Sequence, residues 1–286
     1  MGDLRADMTT HAIGGDIEVH RLGYGAMRIT GDGIWGPPRD RDGAIAVLRR
    51  ALELGIDLVD TADSYGPDVS EQLIADALHP YPADLLVTTK GGLERPGPGH
   101  WTRNGRPEHL KAACEGSLRR LRVDRIDLYQ LHSPDADVPY EESVGALAEL
   151  QAEGKIRHVG VSNVSLGQLE QARAIVEVVT VQNRFNLSDR EDGAVLAACE
   201  QAGIGFFPWA PLDAGELAKP GGTLAEIAAA HDATTGQVAL AWLLAHSPVM
   251  MPIPGTASIE HLEENVAAGR LRLSDEERRE LDAAAS

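Results

Sequence analysis

Short β-rich runs and longer amphipathic runs alternate along this chain from residue 21 to its end. The β-rich runs are dominated by Val, Ile, Leu and aromatic residues, the composition of strands buried on both faces. Eight stand out: 21–27, 56–60, 85–90, 126–132, 156–162, 177–182, 204–209 and 249–254. Between them, apolar residues recur with helical spacing. Ile45, Leu48 and Leu52 mark one such face within 42–54. Pro107 opens another helix at the position where a missing N–H costs nothing, and Leu110, Cys114, Ser117, Leu118 and Leu121 trace its inner face. The same pattern predicts helices over 143–152, 165–176, 191–202, 224–244, 258–268 and 274–284. Gly55, Gly154 and Gly203 follow helices, where a left-handed cap is expected. Gly14 and Gly15 separate two short segments and predict a hairpin that plugs one end of a barrel.

Eight strands alternating with helices predict an α/β fold, the (β/α)8 TIM barrel, with an N-terminal β-hairpin and an extra C-terminal helix. One domain over 1–286 is expected, with residues 1–10 as a flexible tail. A doubly wound sheet of five or six strands fits the strand count less well. At 286 residues, with 43% hydrophobic and 24% charged positions, the chain can bury a large core. Its net charge of −18 disfavours nucleic acid and anionic membranes as partners. Asp3, Arg5, Asp7 and Asp16 interrupt the first twenty residues, so neither a secretory leader nor a membrane span is expected. Cys114 and Cys199 stand outside any ligand spacing and are expected to be reduced thiols of a cytoplasmic protein.

Gly31 to Gly36, "GDGIWG", formally matches a dinucleotide-binding GxGxxG. That motif needs a helix to open at the glycines, and Pro37 and Pro38 push the backbone into extended geometry instead. A flexible loop beside the active site is the better reading.

The chemistry collects where parallel strands end. The second predicted strand delivers Asp60 and, in "DTADSYG", Tyr65 just beyond it. The third ends in Lys90 and the fourth in His132. Each residue alone has an ordinary explanation: a loop cap, a core aromatic, a surface charge, a hydrogen-bonded loop histidine. Together they make a proton donor. An ammonium beside a phenol stabilises phenolate and lowers its pKa, and a carboxylate keeps the ammonium in place. An imidazole next to the phenol can hold a carbonyl oxygen between two donors. Such a group can protonate an oxyanion forming at a carbonyl carbon. No side chain supplies the hydride, so a nicotinamide cofactor is implied.

At these residues the chain resembles the aldo-keto reductases, in the contexts "DTADSYG", "TTKGG" and "YQLHSPD" and over nearly its whole length. The resemblance implies an NAD(P)H-dependent barrel in which Tyr65 is the general acid, Asp60 and Lys90 tune it, and His132 orients the substrate. It also implies that Ser162, Asn163 and Gln182 contact the nicotinamide carboxamide. Trp209, in "FPWAPL" with Pro211 and Leu212, falls where the family stacks an aromatic ring on the nicotinamide. "IPGTASIEHLEEN" matches the segment that grips the adenosine half, with Gly255, Thr256, Ser258, His261, Glu264 and Asn265 as its contacts. Many members carry Lys where Gly255 stands and Arg where His261 stands; NADPH is expected, with NADH as the alternative. Many relatives carry Glu where Arg184 stands.

The chain ends soon after "LSDEERRELDAAAS", without the tail loop that closes the pocket in many members, so an open pocket walled by Trp35 and Trp101 is expected. The opening "GYGAM…IWGPPRDR" resembles the bacterial pyridoxal reductase-like branch, which implies a small-molecule carbonyl substrate such as an aromatic aldehyde like pyridoxal. Two rival readings stand beside this one. The first is a metal-dependent barrel hydrolase using His132, Asp135 and Asp137, disfavoured because no HxH run ends the first strand. The second is a cofactor-binding regulatory module without turnover. No metal is expected.

Overall fold

The computed structural model describes residues 9–218 and 222–284. Residues 1–8 of the expected tail lie outside the described residues, and Thr10 already pairs in the first strand. Strands β1 (Thr10–Ile13) and β2 (Ile17–His20) form the expected antiparallel hairpin, turning on Gly14 and Gly15 at φ 61° and 78°. Ile13 and Val19 drive its apolar face into a cluster with Leu58, Leu86, Leu128 and Phe207 from the barrel interior. The hairpin therefore closes the end opposite the strand termini that carry the polar residues.

The remaining elements alternate. They run β3 (Tyr24–Gly25), α1 (Arg41–Glu53), β4 (Leu58–Asp60), α2 (Val69–Leu78) and β5 (Leu86–Gly91). A second hairpin, β6 (Leu93–Gly97) and β7 (His100–Arg103), precedes α3 (Pro107–Leu121). Then come β8 (Ile126–Leu131), α4 (Tyr140–Ala152), β9 (Ile156–Ser162), α5 (Leu166–Arg173), β10 (Val178–Gln182), α6 (Gly193–Ala202) and β11 (Gly205–Phe206). Helices α7 (Gly222–Ala230), α8 (Thr235–His246), α9 (Ile259–Ala267) and α10 (Asp275–Ala284) complete the order. Gly55, Gly154 and Gly203 take positive φ after their helices, as expected.

Seven strands pair in parallel in the order β11-β10-β9-β8-β5-β4-β3, each beside its predecessor in the alternation. The eighth predicted strand, 249–254, joins this sheet only through an isolated bridge and four backbone hydrogen bonds. Phe206 N donates to Val249 O and Met251 N to Phe206 O, both at 2.8 Å. Gly23 N donates to Pro252 O at 3.0 Å and Gly25 N to Pro254 O at 3.2 Å. Pro252 and Pro254 have no N–H to return, which is why the segment closes the (β/α)8 barrel without forming a regular strand.

The helices pack Val47, Leu48, Leu147, Leu196 and Leu243 against the outer face of the sheet. Leu110, Cys114 and Leu121 bury the predicted face of α3. Cys114 and Cys199 are free and buried, and burial pushes both thiols up to about 12. The helix predicted over 224–244 is two helices. Asp232 takes φ 49°, and Thr234 then caps α8 by accepting from Gln237 N while Gln237 reaches back to Thr234 N. No helix among the described residues is long and apolar enough to cross a membrane.

Candidate active site

Asp60, Tyr65, Lys90 and His132 meet at the carboxyl ends of β4, β5 and β8, all at most 8% exposed. Lys90 Nζ donates to Asp60 Oδ2 at 2.6 Å and to Thr61 O at 2.9 Å. It lies 5.2 Å from the Tyr65 ring centroid. The His132 and Tyr65 rings meet edge to face, their centroids 5.8 Å apart. The structure thus brings together the four side chains that the sequence placed at the ends of three strands.

Local backbone chemistry aims Tyr65. The stretch turns sharply, with Tyr65 N donating to Ala62 O at 3.2 Å. Its carbonyls then receive the start of α2: Asp68 N donates to Asp63 O at 2.7 Å and Ser70 N to Tyr65 O at 3.1 Å. Gly66 follows at φ 105°, and a Cβ there would stand 2.4 Å from that of Val69. Only glycine permits the turn that holds the phenol inward.

The electrostatics follow from burial. Burial pushes the Tyr65 phenol above its ordinary value, and the Lys90 ammonium only partly offsets this. The net direction is upward, opposite to the lowering expected from the ammonium alone, because desolvation of a phenolate is the larger effect. Burial also opposes charge on Lys90, but Asp60 and Tyr65 outweigh it and hold the ammonium above its usual range. Burial, then Lys90, drive His132 well below 6.5, so its imidazole is neutral. The site therefore holds a protonated phenol, a charged ammonium and a neutral imidazole near pH 7.

Around this set, Ser162, Asn163 and Gln182 sit at the ends of β9 and β10. Gln182 Nε2 donates to Asp60 Oδ1 at 3.0 Å, so this amide faces the carboxylate. Gln130, which the sequence did not single out, donates to the same oxygen at 3.3 Å. Ser162 Oγ donates to Gln182 O at 2.6 Å. Asn163 is exposed at φ 57°, donates to His132 O at 2.9 Å, and accepts from Trp209 Nε1 at 2.9 Å. Trp209 is thereby fixed at the rim, half-buried, with Pro211 buried and Leu212 half-buried beyond it. The Arg184 guanidinium lies 5.5 Å from the Trp209 ring centroid and pairs with Asp189 and Asp213, each at 2.7 Å. Arg184 thereby ties the segment carrying Trp209 to the loop after β10.

The segment from 255 to 265 lies beside β3. Tyr24 donates to Thr256 O at 2.6 Å, Thr256 Oγ1 accepts from Ser258 N at 3.0 Å, and Ser258 caps α9 by accepting from His261 N. Gly255 and His261 are exposed, Glu264 half-buried and Asn265 buried. A Cβ at Gly255 would meet Gly25 O at 2.6 Å, so a lysine does not fit this backbone. The same point lies 3.6 Å from Cγ of Arg28, an exposed cation that the sequence reading missed. Exposed backbone, a helix N-terminus and Arg28 together fit the phosphates of a dinucleotide, and the half-buried Trp209 beside Asn163 fits a nicotinamide ring.

Trp101 faces the other side of the site, its ring 6.4 Å from that of Tyr65 and 6.5 Å from that of His132. Trp35 bridges to Gly66 in the next loop. The glycine run around it opens no helix: Gly31 N donates to Gly36 O at 2.9 Å, and the loop folds on itself. Arg95, another residue that the sequence left unmarked, donates to Gly33 O and Ile34 O within this loop. A cavity of about 350 Å³ lies between the Tyr65 loop and the second hairpin, lined by Asp63, Pro67, Asp68, Arg95 and Thr102 and by none of the four reactive side chains. A second, of about 190 Å³, also lies away from them, by Thr9, Arg21 and Arg272. Asp135, a ligand in the hydrolase reading, accepts instead from the backbone N–H groups of Gly105 and Asp137. Among the described residues no group of three His, Cys, Asp or Glu is placed to hold a metal ion.

Comparison with known proteins agrees with this geometry. The model of the Aldo/keto reductase family matches residues 21–286. An uncharacterized oxidoreductase of Schizosaccharomyces pombe is 50% identical over 268 residues, covering 94% of this chain and 87% of that one. The pyridoxine 4-dehydrogenase of Escherichia coli is 45% identical over 275 residues, covering 94% and 96%. The crystal structure of an aldo/keto reductase from Klebsiella pneumoniae in complex with NADP and acetate superposes with a TM-score of 0.82 at 30% identity, covering 97% of this chain and 95% of that one. With the barrel and the four converging side chains, these likenesses identify the chain as a member of the aldo-keto reductase family, an NAD(P)H-dependent oxidoreductase acting on carbonyl compounds.

Proposed function

We propose that the protein reduces an aromatic aldehyde of the pyridoxal type to its alcohol, with NADPH as the preferred cofactor. When bound, the reduced nicotinamide supplies the hydride; the chain's own residues supply position and the proton. The carbonyl oxygen sits between the Tyr65 phenol and the neutral His132 imidazole. As negative charge grows on that oxygen, Tyr65 gives up its proton to it. The phenolate left behind is stabilised by Lys90, which Asp60 holds at 2.6 Å. His132 donates a hydrogen bond and no proton. The observation that carries this reading is the buried Asp60–Lys90 pair against Tyr65, a charged relay with a protonated phenol at its end.

Ser162, Asn163 and Gln182 are assigned to the carboxamide end, with Trp209, Pro211 and Leu212 against the ring. Gly255, Thr256, Ser258, His261, Glu264 and Asn265 are assigned to the adenosine half. NADPH is favoured by Arg28 and by the NADP complex of the Klebsiella pneumoniae relative. The aromatic substrate is favoured by Trp101 beside Tyr65 and His132, and by the name of the Escherichia coli relative. The protein is assigned to the cytoplasm by its reduced thiols, and to a single domain by the continuous barrel. The test follows reduced-nicotinamide absorbance over a panel of aromatic, aliphatic and sugar carbonyls with both cofactors. The reading expects aromatic aldehydes and NADPH to give the highest kcat/KM. Oxidation of neither cofactor with any carbonyl rejects it.

A further inference from the structure

We infer that Arg95 is a positioning residue that holds Trp101 against the Tyr65–His132 pair, and so sets selectivity for flat ring-bearing carbonyls over short aliphatic ones. The inference rests on the carbonyl-reductase reading above. Arg95 lies in β6 of the second hairpin and is 8% exposed. Its guanidinium reaches backbone oxygens in three separate segments. Nη2 donates to Gly33 O at 2.9 Å and Nη1 to Ile34 O at 2.8 Å, both in the loop after β3. Nη1 also donates to Ser64 O at 3.3 Å, the residue before Tyr65. Nε donates to His100 O at 3.0 Å, at the start of β7. Its central carbon lies 3.7 Å from the Trp101 ring centroid and 5.7 Å from that of Trp35.

The donor count decides what this cation is for. A guanidinium has five N–H donors, and these four bonds leave one. It therefore has no pair of donors to clamp a substrate carboxylate or phosphate. Its charge is consumed by protein carbonyls and by the face of the indole. What it produces is a fixed wall. Without it, the hairpin that carries Trp101 would lose its ties to the loop after β3 and to the Tyr65 loop. A planar substrate gains from a rigid aromatic wall through stacking; a short aliphatic aldehyde has little surface to place there.

The test compares the wild type with Arg95→Met, Trp101→Ala and the double variant on benzaldehyde and propanal. For Arg95→Met, KM for benzaldehyde is expected to rise about 10-fold, KM for propanal less than about 3-fold, and kcat for either to change little. Binding of reduced nicotinamide, read by protein fluorescence, is expected to be unchanged. The double variant should be no worse than Trp101→Ala, because Arg95 acts through that ring. Equal losses on both substrates, additive losses, or weakened dinucleotide binding overturn the inference. Arg95→Lys, which keeps the charge but not the fork, serves if the methionine variant fails to fold and should shift KM the same way. Amide exchange supplies a readout free of turnover: residues 31–36 and 93–103 should exchange faster in either variant. Unchanged exchange there overturns the inference even if no carbonyl is reduced, whereas failure of the carbonyl panel alone rejects only the reductase reading.

Discussion

The side-chain amide of Gln182 donates to Asp60 Oδ1, 3.0 Å away, while Lys90 holds the other oxygen of the same carboxylate at 2.6 Å. The carboxylate is thus gripped from β10 and β5 at once. Gln182→Leu removes a buried hydrogen bond to a charged group, which contributes roughly 1.5–3 kcal/mol. The expected result is a fall in kcat of about 10-fold or more. Stopped-flow measurement of the hydride step checks it.

Tyr65→Phe removes the proton donor and leaves the ring. Reduction is expected to fall by about 10²–10⁴-fold. Dinucleotide binding, read by fluorescence quenching, should persist within about 3-fold, since the lost hydroxyl is worth no more than a weak hydrogen bond to the cofactor. Retained turnover would remove Tyr65 from the mechanism.

The pH profile should lack an imidazole limb. His132 is held well below 6.5 by burial and by Lys90, so it stays neutral as the pH drops through that value. The Tyr65 phenol is raised by burial, so any decline of reduction from loss of its proton should come only above the ordinary phenol range. A midpoint in kcat near 6.5 would contradict this. The same shift affects folding. Below pH 6.5 the unfolded chain binds a proton at this imidazole and the native chain does not, so His132 lowers stability as the pH falls.

Asp63 is 8% exposed, and its Oδ1 has no hydrogen-bond partner. Burial first, then Glu71, raise its carboxyl well above the ordinary range. Above about pH 4 the unfolded chain loses this proton while the native chain retains it, which costs about 1.4 kcal/mol per pH unit until the native group ionises. Asp63→Asn removes that cost. Its melting temperature should exceed the wild type's by more at pH 8 than at pH 5 in thermal scans.

Arg28→Gln should weaken NADPH binding about 5-fold, and the loss should shrink at high salt. Gly255→Lys should fail to strengthen binding and should lower stability, because its Cβ meets Gly25 O. Titration of both variants with NADPH at two ionic strengths decides the point.

The sequence disclosed what repeats. Strand and helix periodicity located the eight barrel segments, and the ends of 56–60, 85–90 and 126–132 delivered the four reactive side chains. It concealed what depends on backbone oxygens. Arg95 binds four carbonyls in three separate segments, and a carbonyl carries no residue identity. The β6–β7 hairpin read as a loop because Pro96, Gly97, Pro98 and Gly99 break its alternation. Helix α2 is short and escapes the periodicity, although Leu73, Ile74 and Leu78 bury one face of it. Residues 249–254 read as a strand by composition, and only pairing reveals that two prolines interrupt it.

That last segment has a consequence for how the cylinder breathes. Gly23 and Gly25 hand their amide protons to Pro252 and Pro254, and neither proline can hand one back. Between the first and last staves the bonds thus run one way only, from Gly23 and Gly25 to the two prolines. Fluctuations should part the wall beside this segment sooner than between the central strands, and the amides of Gly23 and Gly25 should trade deuterium sooner than those of β5, β8 and β9.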